Sequence, residues 1–395
     1  MFHGVTAKLD SIFSKQDIFL ASEPVQSKFF IDKILKFKKV MLITGKRSYI
    51  ASGANIFVKD LFKNIELNTF NEFDVNPDID QISPGYEIAK EIQPDAIIAI
   101  GGGSVIDTAK IIHFMYSNDL NKDKIFTFKR DFLQLSIKNL PLIAIPTTAG
   151  TGSESTHFAV VYKNKKKFSI SSKTMLPGIV FLDHNFCLSN SPYQNACSGF
   201  DALSQAIESY WSKKSSLISR TYSIKAIDLI LKNFKSVVND PYKNHHAFMN
   251  MLIAANYAGK AINLTKTTAP HALSYGITQR LGLPHGHAVA LTLGAFFEMH
   301  NLELRRNNSI TIKELKQFRN INNFFLKKLN SPPHIFFYKL MDNFSMHYDS
   351  ELLGLDKRTI MDIIENVNLE RLANHPIKLS KDCLKKVFNL IPKKN

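Results

Sequence analysis

The stretch Asp95-Ala-Ile-Ile-Ala-Ile100-Gly-Gly-Gly-Ser104 joins a continuous apolar run to three consecutive glycines. An unbroken apolar run rich in β-branched residues indicates a strand buried on both faces, as in a parallel sheet. Behind the glycines, apolar residues recur with helical spacing from Val105 to Met115. This order of strand, glycine turn and helix predicts a βαβ unit of a doubly wound α/β layer.

The rest of the chain divides into two halves of different pattern. Val40–Thr44 and Leu142–Ile145 predict two further buried strands, and Pro84–Ile92 carries helical periodicity. After about Asp183 the strand patterns stop and helical ones take over, in residues 199–212, 217–238, 246–262, 272–281 and 288–300. Residues 301–348 are polar and irregular, so we expect the weakest local order there. The sequence therefore predicts an α/β dinucleotide-binding domain with a Rossmann-like parallel sheet at 1–185, an all-helical metal- and substrate-binding domain at 186–395, and a cleft between them.

Composition narrows the class of protein. The 395 residues are 45% hydrophobic and 21% charged, as in a soluble globular protein, and no apolar run reaches the ~20 residues that span a bilayer. Three cysteines without a CxxC spacing indicate a reducing, cytoplasmic setting. The net charge of +16 comes mostly from lysines spread along the chain, without the interleaved aromatics of a nucleic-acid surface. We expect no nucleic-acid or membrane partner, and some attraction for anionic ligands.

The glycine turn is a candidate phosphate-binding site. Gly101, Gly102 and Gly103 let the backbone approach a ligand, and the helix that follows presents N–H groups to an anion. Ser104 and Asp107 are spaced as an N-cap pair. The alternative is a purely structural tight turn.

A second polar loop follows the next strand, at Pro146–Glu154. Its Thr147, Thr148 and Ser153 are candidates to hydrogen-bond a pyrophosphate or a nicotinamide amide. Because parallel sheets bind ligands at the carboxyl ends of their strands, both loops are expected at one cofactor site. Alone, the second loop also fits a plain Thr/Gly-rich connection.

Four residues of the second half form a candidate metal site. Asp201 and Gln205 lie one turn apart on one helical face, His271 lies on a second helix, and His285 lies beside Gly286 in a turn. A carboxylate and two imidazoles suit a divalent metal that keeps an open coordination position. The Gln205 amide is a poorer ligand than imidazole, so the fourth position stays open.

Four of these motifs together resemble the iron-containing (group III) alcohol dehydrogenase family. They are Gly101–Lys110, Pro146–Glu154, Gly199–Glu208 and His271–Gly286, in the order and spacing of the family. The resemblance implies the dehydroquinate synthase-like fold of these enzymes, with a dinucleotide across the glycine turn and a divalent metal in the cleft. It favours Fe²⁺, with Zn²⁺ as the alternative, and hydride transfer between nicotinamide C4 and an aldehyde or alcohol.

Within that family, the chain looks most like the phosphonoacetaldehyde reductases. The matching stretches are Thr156–Tyr162, Gln205–Trp211 and Gly259–His271. This resemblance implies reduction of phosphonoacetaldehyde to 2-hydroxyethylphosphonate in phosphonate biosynthesis, by an enzyme that is at least a homodimer. The phosphonate needs a cationic partner, for which Lys266 is the first candidate and Arg280 the second.

Two positions depart from the family pattern near the metal. Gln205 stands where the family has histidine, and it either ligates through its carbonyl oxygen or leaves a site of three ligands. Tyr275 stands where a second histidine is common, and it relays a proton, hydrogen-bonds substrate or simply packs. His287 either supplies a proton or is a polar residue at a helix N-terminus.

A third departure concerns the choice of cofactor. Gly45 stands where relatives that prefer NAD have an acidic residue, and Lys46, Arg47 and Ser48 are placed to receive a 2′-phosphate. NADPH is therefore expected over NADH, while a basic surface loop is the alternative interpretation.

Three other functions compete. A general alcohol dehydrogenase or lactaldehyde reductase shares every motif and lacks only selectivity for the phosphonate. A dehydroquinate-synthase-like lyase uses a related scaffold, but the Thr-rich loop and the spacing from His271 to Gly286 favour a dehydrogenase. A basic, non-enzymatic binding protein is the remote alternative, since the lysines form no binding stripe.

Overall fold

The computed structural model describes residues 16–127, 139–164, 166–240, 244–306 and 309–393. They form two compact units, one within residues 1–190 and the other within residues 191–395. In the described part of the chain, none of the helices combines the length and the apolar character that a bilayer crossing requires.

The first unit contains a six-stranded parallel sheet in the order β1-β8-β5-β4-β2-β3. Its strands are β1 Asp17–Leu20, β2 Lys39–Thr44, β3 Glu66–Phe70, β4 Ala96–Gly101, β5 Leu142–Pro146 and β8 Ile179–Leu182. From β2 the chain winds outward to β3, and from β4 it winds the other way through β5. The order therefore reverses between β2 and β4, which is where open α/β sheets bind ligands.

Helices cover this sheet, and a short hairpin stands beside it. The helices are α1 Pro24–Ile34, α2 Ser48–Ala51, α3 Ala54–Leu61, α4 Ile79–Ile92, α5 Gly103–Asn118 and α6 Lys124–Thr127, and the antiparallel hairpin pairs β6 Phe158–Lys163 with β7 Lys166–Ser171. Helix α4 begins before the predicted Pro84 because Asp78 and Gln81 form a capping box at its start.

Two apolar clusters fill the two faces of the sheet. Alternate residues of β2 enter different clusters, Met41 and Ile43 on one face and Val40 and Leu42 on the other. Burial on both faces explains why the strand reads as one continuous apolar run. The parallel α/β architecture that the sequence predicts is confirmed.

In the described residues of the second unit, every regular element is a helix. Its helices are α7 Pro192–Trp211, α8 Leu217–Asn239, α9 His245–Thr265, α10 Ala269–Leu281, α11 His285–Arg305, α12 Ser309–Glu314, α13 Lys316–Leu329, α14 Pro333–Asn343, α15 Lys357–Glu365, α16 Leu369–Ala373 and α17 Lys381–Asn389. Helix α7 is central and packs against α8, α9, α11 and α13. Residues buried on all sides of α7 thus become candidates for a shielded site.

Helices α12 to α14 lie in the segment for which the sequence predicts weak order. Although α13 is polar on average, its Phe318, Ile321 and Phe325 are fully buried. Phe318 and Phe325 pack against the ring of Phe297 on α11. A few aromatic residues at helical spacing are enough to hold the segment, because packing of one apolar face supplies most helix stability.

Candidate active site

Three helices of the second unit bring Asp201, His271 and His285 together. Asp201 lies in the middle of α7, His271 in the first turn of α10, and His285 at the first position of α11. One ligand atom from each residue lies within 4.8 Å of the other two. The carboxylate and the first imidazole are each only 4% exposed.

Hydrogen bonds orient both imidazoles. Nδ1 of His271 donates to the Glu208 carboxylate, and its Nε2 lies 3.2 Å from Asp201 Oδ1. Ser274 Oγ donates to the His271 carbonyl at 2.8 Å and so accepts from His285 Nδ1 at 3.3 Å. Because Nδ1 is engaged in both rings, Nε2 is the nitrogen that would bind a metal once it gives up its proton, an arrangement typical of metal-binding histidines.

The charges of this cluster also suit a cation. Burial opposes a charge on His271, but Glu208 and Asp201 outweigh it and raise the pKa of His271 to about 10. Burial likewise opposes ionisation of Asp201, yet hydrogen bonding by His271, the charge of His285 and a bond from Gln205 lower the pKa of its carboxyl. Oxygen and nitrogen donors gathered around one point, with net negative surroundings, fit a divalent metal.

Gln205 lies one turn after Asp201 on α7 and is 4% exposed. Its side chain hydrogen-bonds the Asp201 carboxylate, which can only accept, so the amide N–H group is the donor. The structure thus places Gln205 as a hydrogen-bond partner of one candidate metal ligand. Its role as a fourth ligand stays a prediction.

Tyr275 and His287 lie beside the cluster in different settings. The Tyr275 ring stacks on His285, with centroids 5.9 Å apart. His287 donates from Nε2 to the His347 carbonyl at 2.6 Å and accepts at Nδ1 from the Tyr193 hydroxyl at 2.7 Å. Burial lowers the pKa of His287. With both ring nitrogens engaged, His287 is the less suitable proton source of the two.

Lys266 lies in the turn between α9 and α10 with φ 61° and ψ 176°. That region is almost confined to glycine, and a non-glycine residue there marks strain that the surroundings must hold. Asn374 does so by donating to the carbonyls of Thr265 and Thr267. The Lys266 ammonium pairs with Glu370, and Arg280 pairs with Asp362.

The two predicted phosphate-binding loops of the first unit lie against each other. The Thr147 amide donates to the Gly101 carbonyl at 3.0 Å. A Cβ on Gly103 would come within 2.7 Å of the Thr151 side chain, so only glycine allows this approach. Helix α5 then begins at Gly103 and aims its N-terminus at the carboxyl end of the sheet.

Several polar side chains of this site hold one another. Gly102 is the N-cap of α5, whereas the predicted cap residue Ser104 accepts a hydrogen bond from the Asn76 amide at 3.1 Å. The second residue of the predicted cap pair, Asp107, accepts from the Ser153 hydroxyl and from the Val160 amide. Its carboxylate is thereby committed to joining α5 to its neighbours, and the predicted N-cap pair is wrong.

Lys110 completes this network, and sequence reasoning assigned it no role. Its ammonium is fully buried and donates to Ser153 Oγ at 2.8 Å, Thr156 Oγ1 at 2.9 Å and the Phe158 carbonyl at 3.0 Å. Burial lowers the pKa of Lys110 to about 8, against the opposing pull of Asp107. The network locks the second loop onto the helix that follows the glycine turn.

The loop expected to choose the cofactor follows β2. A Cβ on Gly45 would collide with the Ser48 hydroxyl, so a larger residue at this position requires the Ser48 side chain to rotate. Lys46 pairs at 2.9 Å with Glu72, which follows β3, and both side chains are exposed. The bond to Glu72 raises the pKa of Lys46. Arg47 is exposed and is the N-cap of α2.

Sequence comparison assigns both halves of the chain to one family. Residues 26–184 match the profile "Iron-containing alcohol dehydrogenase", and residues 195–387 match "Fe-containing alcohol dehydrogenase family, C-terminal". The chain belongs to the iron-containing alcohol dehydrogenase family. Its motifs around Gly101, Asp201 and His271 all lie inside the matched ranges.

Individual relatives agree with this family. Alcohol dehydrogenase 4 of Schizosaccharomyces pombe is 31% identical over 70% of this chain, which spans 65% of that relative's length. The NADPH-dependent butanol dehydrogenase of Clostridium saccharobutylicum is 27% identical, over 91% of this chain and 93% of that relative's length. A sulfoacetaldehyde reductase from Bifidobacterium kashiwanohense, solved with NAD⁺, superposes with a TM-score of 0.82 at 28% identity, over 95% of this chain and 97% of that one.

Proposed function

We propose that this chain is a metal-dependent, NAD(P)H-linked reductase of a small anionic aldehyde. The substrate we assign is phosphonoacetaldehyde, which accepts a hydride and a proton to become 2-hydroxyethylphosphonate. The observation that carries the proposal is the convergence of the buried Asp201 and His271 with the half-buried His285, all within one family motif set. The similarity to a sulfoacetaldehyde reductase supports an anionic two-carbon aldehyde, because a sulfonate and a phosphonate are similar tetrahedral anions.

Each unit has a distinct task in this reaction. Asp201, His271 and His285 would hold a divalent metal, with Fe²⁺ favoured, and such an ion supplies Lewis-acid polarisation of a carbonyl when bound. The glycine turn and the Thr-rich loop would bind the dinucleotide, which supplies the hydride when bound. Asp201 and His271 are themselves shielded from bulk water, and exclusion of water strengthens electrostatic interactions in a site.

The product oxygen also needs a proton. We assign its supply to Tyr275, whose ring stacks on His285, rather than to His287, whose two nitrogens are held by Tyr193 and His347. Replacing Tyr275 with phenylalanine keeps the stacking and removes the hydroxyl.

Lys266 is the proposed partner of the phosphonate. Its pairing with Glu370 is partly exposed, and such pairs contribute only about 0–1 kcal/mol, so an anionic substrate can compete for the ammonium. We further propose NADPH as the preferred cofactor, with Lys46 leaving the exposed carboxylate of Glu72 for the 2′-phosphate.

The test is steady-state oxidation of NADPH and NADH on protein of measured metal content. Phosphonoacetaldehyde, sulfoacetaldehyde and butyraldehyde are compared for the wild type, Lys266→Ala and the control Lys232→Ala, which removes a lysine paired with Asp228. We expect K266A to raise KM for the two anionic aldehydes at least about tenfold, or 1.4 kcal/mol, and to leave butyraldehyde unchanged. Equal effects on all three aldehydes contradict the substrate assignment, and equal kcat/KM for the two cofactors contradicts the NADPH preference.

A general alcohol dehydrogenase is the second candidate. Lys266 and Arg280, the two predicted cationic partners of the phosphonate, are both paired with carboxylates, which suits a neutral substrate. Higher kcat/KM for butyraldehyde than for either anionic aldehyde would favour this function.

A further inference from the structure

Glu208 is a fully buried carboxylate whose two oxygens are both engaged. Oε1 accepts from Nδ1 of His271. Oε2 accepts from the Thr268 amide at 2.7 Å and from the Thr268 hydroxyl at 2.9 Å. A buried carboxylate is costly unless its lone pairs are satisfied, and here they are satisfied by groups that lie next to the metal-binding residues.

The position of Glu208 follows from the helix that carries it. It lies on α7 two turns after Asp201, on the same face, so one helix supplies both carboxylates. Asp201 faces Nε2 of His271, while Glu208 faces Nδ1 of the same ring. The imidazole is therefore fixed at both nitrogens by one helix.

Glu208 also caps α10. The N-cap residue of that helix, Thr268, makes no side-chain bond to its own helix, and Pro270 has no N–H to offer. The Glu208 carboxylate accepts from the Thr268 amide instead and lies 3.5 Å from the His271 amide. A negative charge at a helix N-terminus is favourable, so the cap places the first turn, and His271 with it.

The charges of the two carboxylates add to this argument. Asp201 and Glu208 bring two negative charges to the ring of His271. All three side chains are at most 6% exposed. With neutral imidazoles, a divalent cation balances these charges, whereas loss of one carboxylate leaves the site with an excess positive charge.

We propose that Glu208 is a positioning residue of the metal site. It holds His271 in the Nδ1–H tautomer with Nε2 directed at the metal, and it supplies the second negative charge that matches a divalent ion. The proposal rests on the proposed function only in requiring that Asp201, His271 and His285 bind a metal.

Glu208→Gln tests it, because glutamine keeps the shape and one acceptor oxygen but removes the charge. The control is Glu298→Gln. Glu298 on α11 is also a glutamate beside a histidine, since its carboxylate lies 3.3 Å from Nδ1 of His334 on α14. Both proteins are stripped of metal, and Zn²⁺ and Co²⁺ dissociation constants are measured by chelator competition. The visible absorption of the Co²⁺ form reports the ligand geometry.

We expect E208Q to bind both ions about 10–100-fold more weakly than the wild type, with an altered Co²⁺ spectrum, and E298Q to match the wild type. Unchanged dissociation constants and spectrum in a folded E208Q protein overturn the proposal. If the wild type itself binds neither ion, the proposed function fails instead, so the two failures are distinguishable.

A second variant covers the case in which E208Q does not fold. Thr268→Val keeps the carboxylate and removes one hydroxyl donor to it, along with the acceptor for Trp211 Nε1 at 3.0 Å. Because Glu208 is then held less firmly, we expect T268V to bind Zn²⁺ severalfold more weakly than the wild type. Its Co²⁺ spectrum should shift in the same direction as that of E208Q. If T268V binds Zn²⁺ as tightly as the wild type does, under conditions in which the two metal-free proteins are equally stable, the result counts against the proposal.

Discussion

His300 and His375 face each other inside the second unit, with their Nε2 atoms 2.8 Å apart. Both are fully buried, and their rings pack on Trp211 and Phe296. One of these nitrogens must donate and the other accept, so the two rings cannot both be protonated at Nε2. Burial lowers the pKa of His300 to about 3, and burial together with the charges of His300 and Lys213 lowers that of His375 well below its usual value.

These shifts predict acid sensitivity of the fold. Because the folded pKa of His300 lies below the ordinary value of 6.5, the unfolded chain binds more protons once the pH falls below that value. Stability is then lost between about pH 6.5 and pH 3, at up to about 1.4 kcal/mol per pH unit for each histidine. Replacing His375 with glutamine, which can still donate to His300, should reduce this slope below pH 6 by about that amount.

The measurement is urea unfolding of the metal-free protein at pH 7, 6, 5 and 4. His245→Gln, at an exposed position, is the control and should keep the wild-type slope. An H375Q slope equal to that of the wild type would show that the pair does not set the acid limit.

The sequence points to the candidate metal ligands more readily than to their partners. Asp201, His271 and His285 are recognisable because their residue types and spacing are those of ligands. Glu208 is visible in the sequence as well, but an acid on a helix gives no sign of what it faces. Glu208 has its role because the first residues of α10 lie against its side chain. That position is set by the packing of α10 against α7, which the local sequence does not show.

At the scale of elements, three central strands are predictable from the sequence, whereas the two edge strands and the four-residue β8 are not. β2, β4 and β5 are apolar on both faces, and their continuous apolar runs predict them as buried strands. β1 and β3 lie at the two edges of the sheet and are largely half-buried or exposed, so their residues carry no such signal. They become strands because a neighbour offers hydrogen bonds, an influence that the local sequence does not contain.

The approach of α11 to α7 depends on one glycine. A Cβ on Gly286 would fall on the Cys197 carbonyl oxygen and lie 3.2 Å from Asp201 Cβ. His285 precedes this residue directly, so the close helix contact is what brings its imidazole to Asp201. Gly286→Ala should separate the helices, lower the free energy of unfolding by about 1–3 kcal/mol and weaken Zn²⁺ binding.

Thermal unfolding and Zn²⁺ titration of the metal-free protein measure both effects. Gly178→Ala is the matched control, since nothing lies within 4 Å of a Cβ built there. Wild-type Zn²⁺ affinity in G286A would mean that the helix contact does not govern the position of His285.

At the scale of the whole molecule, the dominant property is a net charge of +16. Some lysines pair with carboxylates at the surface, as Lys33 does with Asp17 and Lys122 with Asp80, but the 50 lysines and arginines outnumber the 34 acidic residues, so a positive excess remains. Such a charge raises the local concentration of anions and the rate at which they arrive. It bears on the proposed substrate, because phosphonoacetaldehyde is an anion and butyraldehyde is neutral.

The charge predicts a difference in salt dependence between these two aldehydes. The Debye length falls from about 30 Å at 0.01 M salt to about 3 Å at 1 M, which screens long-range attraction but leaves direct contacts in place. With NADPH saturating at every salt concentration, kcat/KM for phosphonoacetaldehyde should fall severalfold between these limits, while kcat/KM for butyraldehyde stays within about twofold. Lys232→Ala, which removes a charge outside the proposed site, should reduce the slope only slightly. A parallel decline for both aldehydes would assign the salt effect to the fold or the metal, and a flat response for both would show that the positive charge does not guide the substrate.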